Sequence, residues 1–191
     1  SKISIDRDNN VWFGAMQGGV YKIDKSWTNL TTITTHVGLP NDYVMCSLTD
    51  KDNNLWFGTN DGVVKYSKLV NHLTQKDGLI ASEVSCVLKD QMQNFWVGTY
   101  SGGISKIDFK TNKIKNYSPK EGLSDADITS MMQDKAGNIW CGTNYSNMFR
   151  FNTDGKTLTH FRDSGSYIVC IFEDKAGNIW FATGGGLSRY D

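Results

Sequence analysis

Two stretches of the chain, DRDNN (Asp6 to Asn10) and DKDNN (Asp50 to Asn54), open with the D-x-D-x-N spacing of a calcium loop. Carboxylates two residues apart on a turn can converge on a hard cation through oxygen ligands. Neither stretch continues with the glycine and the bidentate glutamate that such a loop uses. Three related stretches, DQMQN from Asp90 and DKAGN from Asp134 and Asp174, keep the first Asp and the last Asn but drop the second carboxylate. An Asp and an Asn retained at that spacing serve a turn, because both side chains can bond backbone N–H groups. The expectation is structural turns, with no metal and no cofactor.

Nucleophilic catalysis has little to work with. The histidines, His36, His72 and His160, are scattered, and none stands beside a Ser or Cys in a nucleophile motif. Cys46, Cys86 and Cys170 each lie four residues before the Asp of their own stretch, and Cys141 follows Trp140. Equivalent positions in separate repeats do not face one another, so these cysteines read as small buried apolar side chains and not as disulfide partners. No catalytic residue is expected.

Recognition chemistry is better represented. Tyr43, Asn60, Asp61, Tyr100, Asn144, Tyr145 and Tyr167 fall between expected strands and break the repeat that surrounds them. Tyrosine offers an apolar face with a polar tip, and Asn and Asp offer planar hydrogen bonds. That combination suits a sugar ring. Trp27 also stands outside the repeat, at a turn expected on the opposite side, where it would cap an edge or meet a partner.

The elements that must position these residues come from a fivefold repeat. Copies of D-x-x-x-N-[IVLF]-W place Trp12, Trp56, Trp96, Trp140 and Trp180 at steps of 44, 40, 44 and 40 residues. Each copy reads as four short strands. In the second these are Val44 to Thr49, Leu55 to Thr59, Val63 to Tyr66 and a polar stretch from Leu69 to Thr74, with Asn60-Asp61-Gly62 as a turn. Within LWFGT the Trp faces one side and Leu and Phe the other, so both faces of the sheet are apolar and must be covered. The Gly after the Trp, as at Gly58 and Gly98, is expected to leave room for an aromatic ring of the next repeat. HVGLP, KDGLI and KEGLS read as linkers.

Four-stranded units of about 40 residues are the size of propeller blades. The expected fold is therefore all-β, a β-propeller with blades over residues 1–40, 41–80, 81–124, 125–164 and 165–191, the last without its fourth strand. It reads as a fragment of a larger propeller whose open blade edges invite self-association. Twenty Lys and Arg balance twenty Asp and Glu, so no footprint for nucleic acid is visible. No apolar run reaches the roughly 18 residues of a membrane span, so no membrane contact is expected within the segment.

The run EGLSDADITSMMQDKAGNIWCGT (Glu121 to Thr143), with GGGLSRYD (Gly184 to Asp191), resembles the two-component regulator propeller repeat. The resemblance extends over all five copies. Asn53 and Gln93 depart from it at the turn glycine, Asn147 at the glycine before the third strand, and Ala182 at the glycine after Trp180. It implies a non-catalytic sensory segment from the periplasmic part of a hybrid two-component regulator of Bacteroidetes, commonly built with seven-bladed propellers. The implied ligands are glycan-derived oligosaccharides, and the implied partners are neighbouring blades and domains of the parent protein. The signal would pass to a histidine kinase and phosphorelay outside this chain. A lectin-like or scaffold propeller without signalling is an alternative. So is a propeller enzyme like the streptogramin lyases, which resemble this chain in their GN-[LV]-W-F repeats.

Overall fold

The computed structural model describes residues 3–66, 71–123, 125–145, 147–153, 158–162 and 166–190. Among them are five antiparallel sheets, each a meander in chain order. Sheet 1 contains β1 (Ile3–Ile5), β2 (Val11–Gly14), β3 (Val20–Ile23) and β4 (Leu30–Ile33). Sheet 2 contains β5 (Val44–Thr49), β6 (Leu55–Thr59), β7 (Gly62–Tyr66) and β8 (Asn71–Leu73). Sheet 3 contains β9 (Val84–Lys89), β10 (Phe95–Thr99), β11 (Ile104–Asp108) and β12 (Lys113–Tyr117). Sheet 4 contains β13 (Ile128–Gln133), β14 (Ile139–Thr143), β15 (Asn147–Phe151) and β16 (Leu158–Arg162). Sheet 5 has three described strands, β17 (Ile168–Glu173), β18 (Ile179–Thr183) and β19 (Gly186–Tyr190). Leu69 and Val70, expected at the head of β8, lie outside the described residues.

The chain divides into two compact units, residues 1–87 and 88–191, with the boundary inside β9. In the first unit Trp12 leaves sheet 1 and packs on sheet 2, its ring 5.0 Å from Tyr66 and 6.3 Å from Phe57. Val20, Ile33, Leu39, Val44, Leu55 and Val64 complete that core. The second unit repeats the arrangement. Trp96 meets Phe151 at 5.3 Å, and Trp140 meets Tyr190 at 5.2 Å and Phe181 at 5.9 Å. Every residue of β6, β10 and β14 is buried, as strands covered on both faces require.

The glycine after the tryptophan makes room for an aliphatic side chain, where a ring was expected. A Cβ at Gly14 would stand 2.3 Å from Val44 Cγ1, and one at Gly58 2.5 Å from Val84 Cγ1. In the second unit a Cβ at Gly142 would stand 2.5 Å from Ile168 Cγ2. Val44, Val84 and Ile168, each the β-branched first residue of its strand, thus lie against Gly14, Gly58 and Gly142.

The linkers are more ordered than expected. Thr35–Val37, Gln75–Asp77 and Pro119–Glu121 each form one turn of 3-10 helix. Thr74 with Asp77, and Ser118 with Glu121, make reciprocal capping boxes. Gly38, Gly78 and Gly122 end these turns at φ of 104°, 109° and 100°, which glycine alone adopts without strain. The following Leu39, Leu79 and Leu123 are then driven into the core.

Two further expectations need correction. Cys46 and Cys141 are buried, but Cys86 is half-buried and Cys170 is exposed. Cys170 shares the face of sheet 5 that carries Trp180, Phe172 and Leu187, opposite the face that packs on sheet 4. Trp27 caps no edge. It is 70% exposed and holds a left-handed φ of 60°.

Candidate functional site

Each sheet has two ends. One carries the Asp-Asn turns between first and second strands, and the other carries the linkers and the turns between second and third strands. The Asp-Asn turns are closed systems. Asp50 Oδ1 accepts the backbone N–H of Asn54 at 2.8 Å, and its Oδ2 accepts the Asn54 amide at 3.0 Å and the Trp56 indole N–H at 3.1 Å. Asp6, Asp90, Asp134 and Asp174 do the same for Trp12, Trp96, Trp140 and Trp180, each at 2.8 Å. Burial pushes the Asp6 carboxyl upward, but the bonds from Asn10 and Trp12 outweigh it and hold the group below its ordinary value. The Trp180 and Asn178 bonds likewise depress Asp174. These carboxylates point into the turn and bind its own donors. The described residues contain no group of three His, Cys, Asp or Glu arranged to hold a metal.

Sequence reasoning anticipated the backbone role of the Asp-Asn pair but missed the indole. The signal was present in the constant six-residue step from Asp to Trp.

At the other end, the first unit brings Tyr43, Asn60 and Asp61 together. The Asn60 N–H donates to the Tyr43 carbonyl at 3.2 Å, and Asn41 Oδ1 accepts the Tyr43 N–H at 2.8 Å. Thr59 Oγ1 accepts the Asp61 N–H at 3.1 Å and donates to the Gly62 carbonyl at 2.9 Å. The Gly62 N–H in turn reaches the Ser82 carbonyl at 2.8 Å. The turn is thus tied on one side to Tyr43 and on the other to the next linker. Beside Asp61 opens a cleft of about 300 Å³ whose other walls include His72, Gln75, Lys76 and Ser82. Gln75 Oε1 accepts the Ser82 hydroxyl at 3.0 Å, which fixes that wall.

In the second unit the nominated residues are fixed separately, each in its own loop. The Asn144 N–H donates to the Asp127 carbonyl at 3.0 Å, and the Tyr145 N–H to Thr143 Oγ1 at 3.3 Å. Tyr167 accepts from the Gly184 N–H at 3.1 Å, and its ring lies so close that a Cβ on Gly184 would meet Cε1 at 2.6 Å. Tyr145 is 67% exposed and Tyr167 51%, while Tyr100 is half-buried at the corresponding turn of sheet 3. The hydroxyls of Tyr43, Tyr145 and Tyr167 make no hydrogen bond among the described residues, so these rings offer both a face and a free polar tip. No hydrogen bond joins the side chains of Asn144, Tyr145 and Tyr167 to one another.

The two component regulator propeller family model matches three segments, residues 38–61, 122–145 and 163–185. Among solved structures the chain is similar to the extracellular domain of a putative hybrid two component system from B. thetaiotaomicron. The TM-score is 0.83 at 25% identity, covering 98% of this chain and 26% of that one. A second such extracellular domain from the same organism gives 0.80 at 22% identity, with the same coverages. Virginiamycin B lyase from Staphylococcus aureus gives 0.77 at 16% identity, covering 99% of this chain and 68% of the lyase. The latter two likenesses are of fold alone. A search of curated proteins finds no match. The chain spans about a quarter of the length of the B. thetaiotaomicron domains. The five sheets are blades of a β-propeller.

Proposed function

We propose that this chain, whose repeats are of the two component regulator propeller type, is a non-catalytic ligand-sensing segment of a hybrid two-component regulator. The family match and the likeness to an extracellular sensor domain support that reading and an extracytoplasmic, periplasmic location. The segment forms part of a larger propeller in a longer parent. Ile3 and Ile5 of sheet 1 and Phe172 and Leu187 of sheet 5 are exposed apolar side chains that further blades would cover. In isolation these faces would drive self-association, readable by light scattering over a range of concentrations.

The ligand is an oligosaccharide taken at the linker end of the blades. The observation that carries this is the Tyr43–Asn60–Asp61 cluster: a ring with an unbonded hydroxyl, locked by backbone hydrogen bonds beside an exposed carboxylate. Binding there reaches a kinase only if the ligand has different affinity for two arrangements of the parent. A panel of defined plant and host oligosaccharides, screened by glycan array and then by calorimetry, tests the reading. Tyr43→Ala and Asn60→Ala should each weaken a positive ligand by about tenfold without shifting the melting temperature. A panel with no binder, or binding indifferent to both substitutions, would overturn it.

A further inference from the structure

Between sheets 4 and 5, at the end that carries the Asp-Asn turns, lies a second cleft of about 240 Å³. Trp140, Ile179 and Tyr190 give it apolar walls. Ala136 holds it open. Two residues after the turn Asp, the first three repeats carry the larger Asp8, Asp52 and Met92.

Arg150 also lines this cleft. Its guanidinium lies over Trp140 at 5.4 Å and Phe161 at 5.7 Å. It makes no hydrogen bond or ion pair among the described residues, and its Nε is buried without a partner. At the same register, sheets 1, 2 and 3 place Lys22, Lys65 and Lys106 over their tryptophans. An ammonium over a ring can keep its water. A planar guanidinium offers five donors in fixed directions, and leaving them without acceptors when partly buried is costly.

Two carboxylates complete the walls. Asp134 already accepts from Trp140 and Asn138, and Glu173 accepts the Lys135 N–H at 2.8 Å and faces its ammonium at 3.7 Å. Each retains lone pairs for one more donor. An anionic ligand would meet both of these charges, and a purely apolar one would leave Arg150 unpaired. A lone hydroxyl would leave the apolar walls bare.

We propose that this cleft binds a secondary acetamide group, its carbonyl oxygen accepting from Arg150, its N–H donating to Asp134 or Glu173, and its methyl resting on Trp140, Ile179 and Tyr190. A neutral amide carries one acceptor, one donor and a small apolar end, which matches the three kinds of wall. The group comes either from an N-acetylated amino sugar or from a peptide. The inference stands apart from the linker-end site and survives its failure.

The test uses the whole chain, with N-acetylglucosamine, glucose, and alanine blocked as its N-acetyl methylamide, each titrated to about 20 mM. Binding is read from the Trp140 indole N–H resonance, which lies in the cleft wall and is kept by every variant. N-acetylglucosamine should shift that resonance and bind at least about tenfold more tightly than glucose. Binding of the blocked alanine alone would support the acetamide and assign its source to peptide. Arg150→Lys and Ala136→Met introduce side chains that sibling repeats carry, so both variants should fold, and each should weaken binding by about tenfold or more. The proposal is overturned if neither acetamide moves the resonance, if glucose binds as well as its acetamido counterpart, or if both variants bind like the parent.

Discussion

Asp134 Oδ2 accepts the indole N–H of Trp140 at 2.8 Å, and the same carboxylate holds the Asn138 backbone and side-chain N–H groups at 2.7 and 2.9 Å. One side chain thereby closes a hairpin and orients the largest ring of the blade core. Asp134→Ala would orphan three donors, one of them on a tryptophan that is 2% exposed. The expected cost is about 2–4 kcal/mol, read from the urea midpoint. Asp174→Ala should lower the urea midpoint less than Asp134→Ala does, because half-buried Trp180 can give its N–H to water.

The same bonds make stability depend on acid. The Asp6 and Asp174 carboxyls are held below their ordinary value of 3.8, so the unfolded chain binds protons more readily. Their contribution is complete above that value and is lost as pH falls through and below it. The melting temperature should be flat from neutrality to about pH 5 and then fall. Asp174→Asn should show a shallower fall below pH 4 than the parent. An unchanged slope would assign the acid sensitivity to other carboxylates.

Trp27 occupies a left-handed position that asparagine, glutamine or glycine fills in the Asp-Asn turns, as at Asn9, Asn53, Gln93 and Gly137. The turn is closed by Asp24, which accepts from the Thr28 N–H at 2.9 Å and the Asn29 amide at 2.6 Å. The exposed indole offsets little of the backbone strain. Trp27→Asn should therefore stabilise the chain by about 0.5–1 kcal/mol, measured by thermal or urea unfolding. A loss of stability would mean that the indole makes a contact in solution worth more than the strain.

Gly142 admits no side chain while Ile168 lies on it. Gly142→Ala should cost about 1–3 kcal/mol through overpacking. Ile168→Ala should cost a comparable amount alone, and the double variant should cost clearly less than the sum. Strict additivity in unfolding midpoints would show that the two sites do not touch. The natural contrast is Ala182, which fills the same slot in sheet 5 on the face turned away from sheet 4.

The repeat period, the alternation of Trp with Leu and Phe, and the Asp-Asn spacing were sufficient to place nearly every strand and the core tryptophans. Those features are local, or recur at a constant step, and a strand's two faces follow directly from a period of two. The meeting of Asn60 with Tyr43 was only partly legible: both were recognised as loop residues, but the backbone bond between them spans a whole strand pair. The capping boxes at Thr74 and Ser118 were present in the S/T-x-x-D/E spacing, yet the glycine that follows reads equally well as part of a plain linker.

What the sequence by itself determined was the blade and its internal chemistry, because each blade is built from contacts within about 40 residues of chain. Only the tertiary structure decided which side chains remain unspent. It showed that the Asp-turn carboxylates are consumed by Trp and Asn, and that among the described residues the hydroxyls of Tyr43, Tyr145 and Tyr167 and the Arg150 Nε find no hydrogen-bond partner. Those outcomes depend on what the neighbouring sheet covers and how large its side chains are at one contact. Ala136 is legible in one repeat, but the space it leaves exists only when sheet 5 lies against sheet 4.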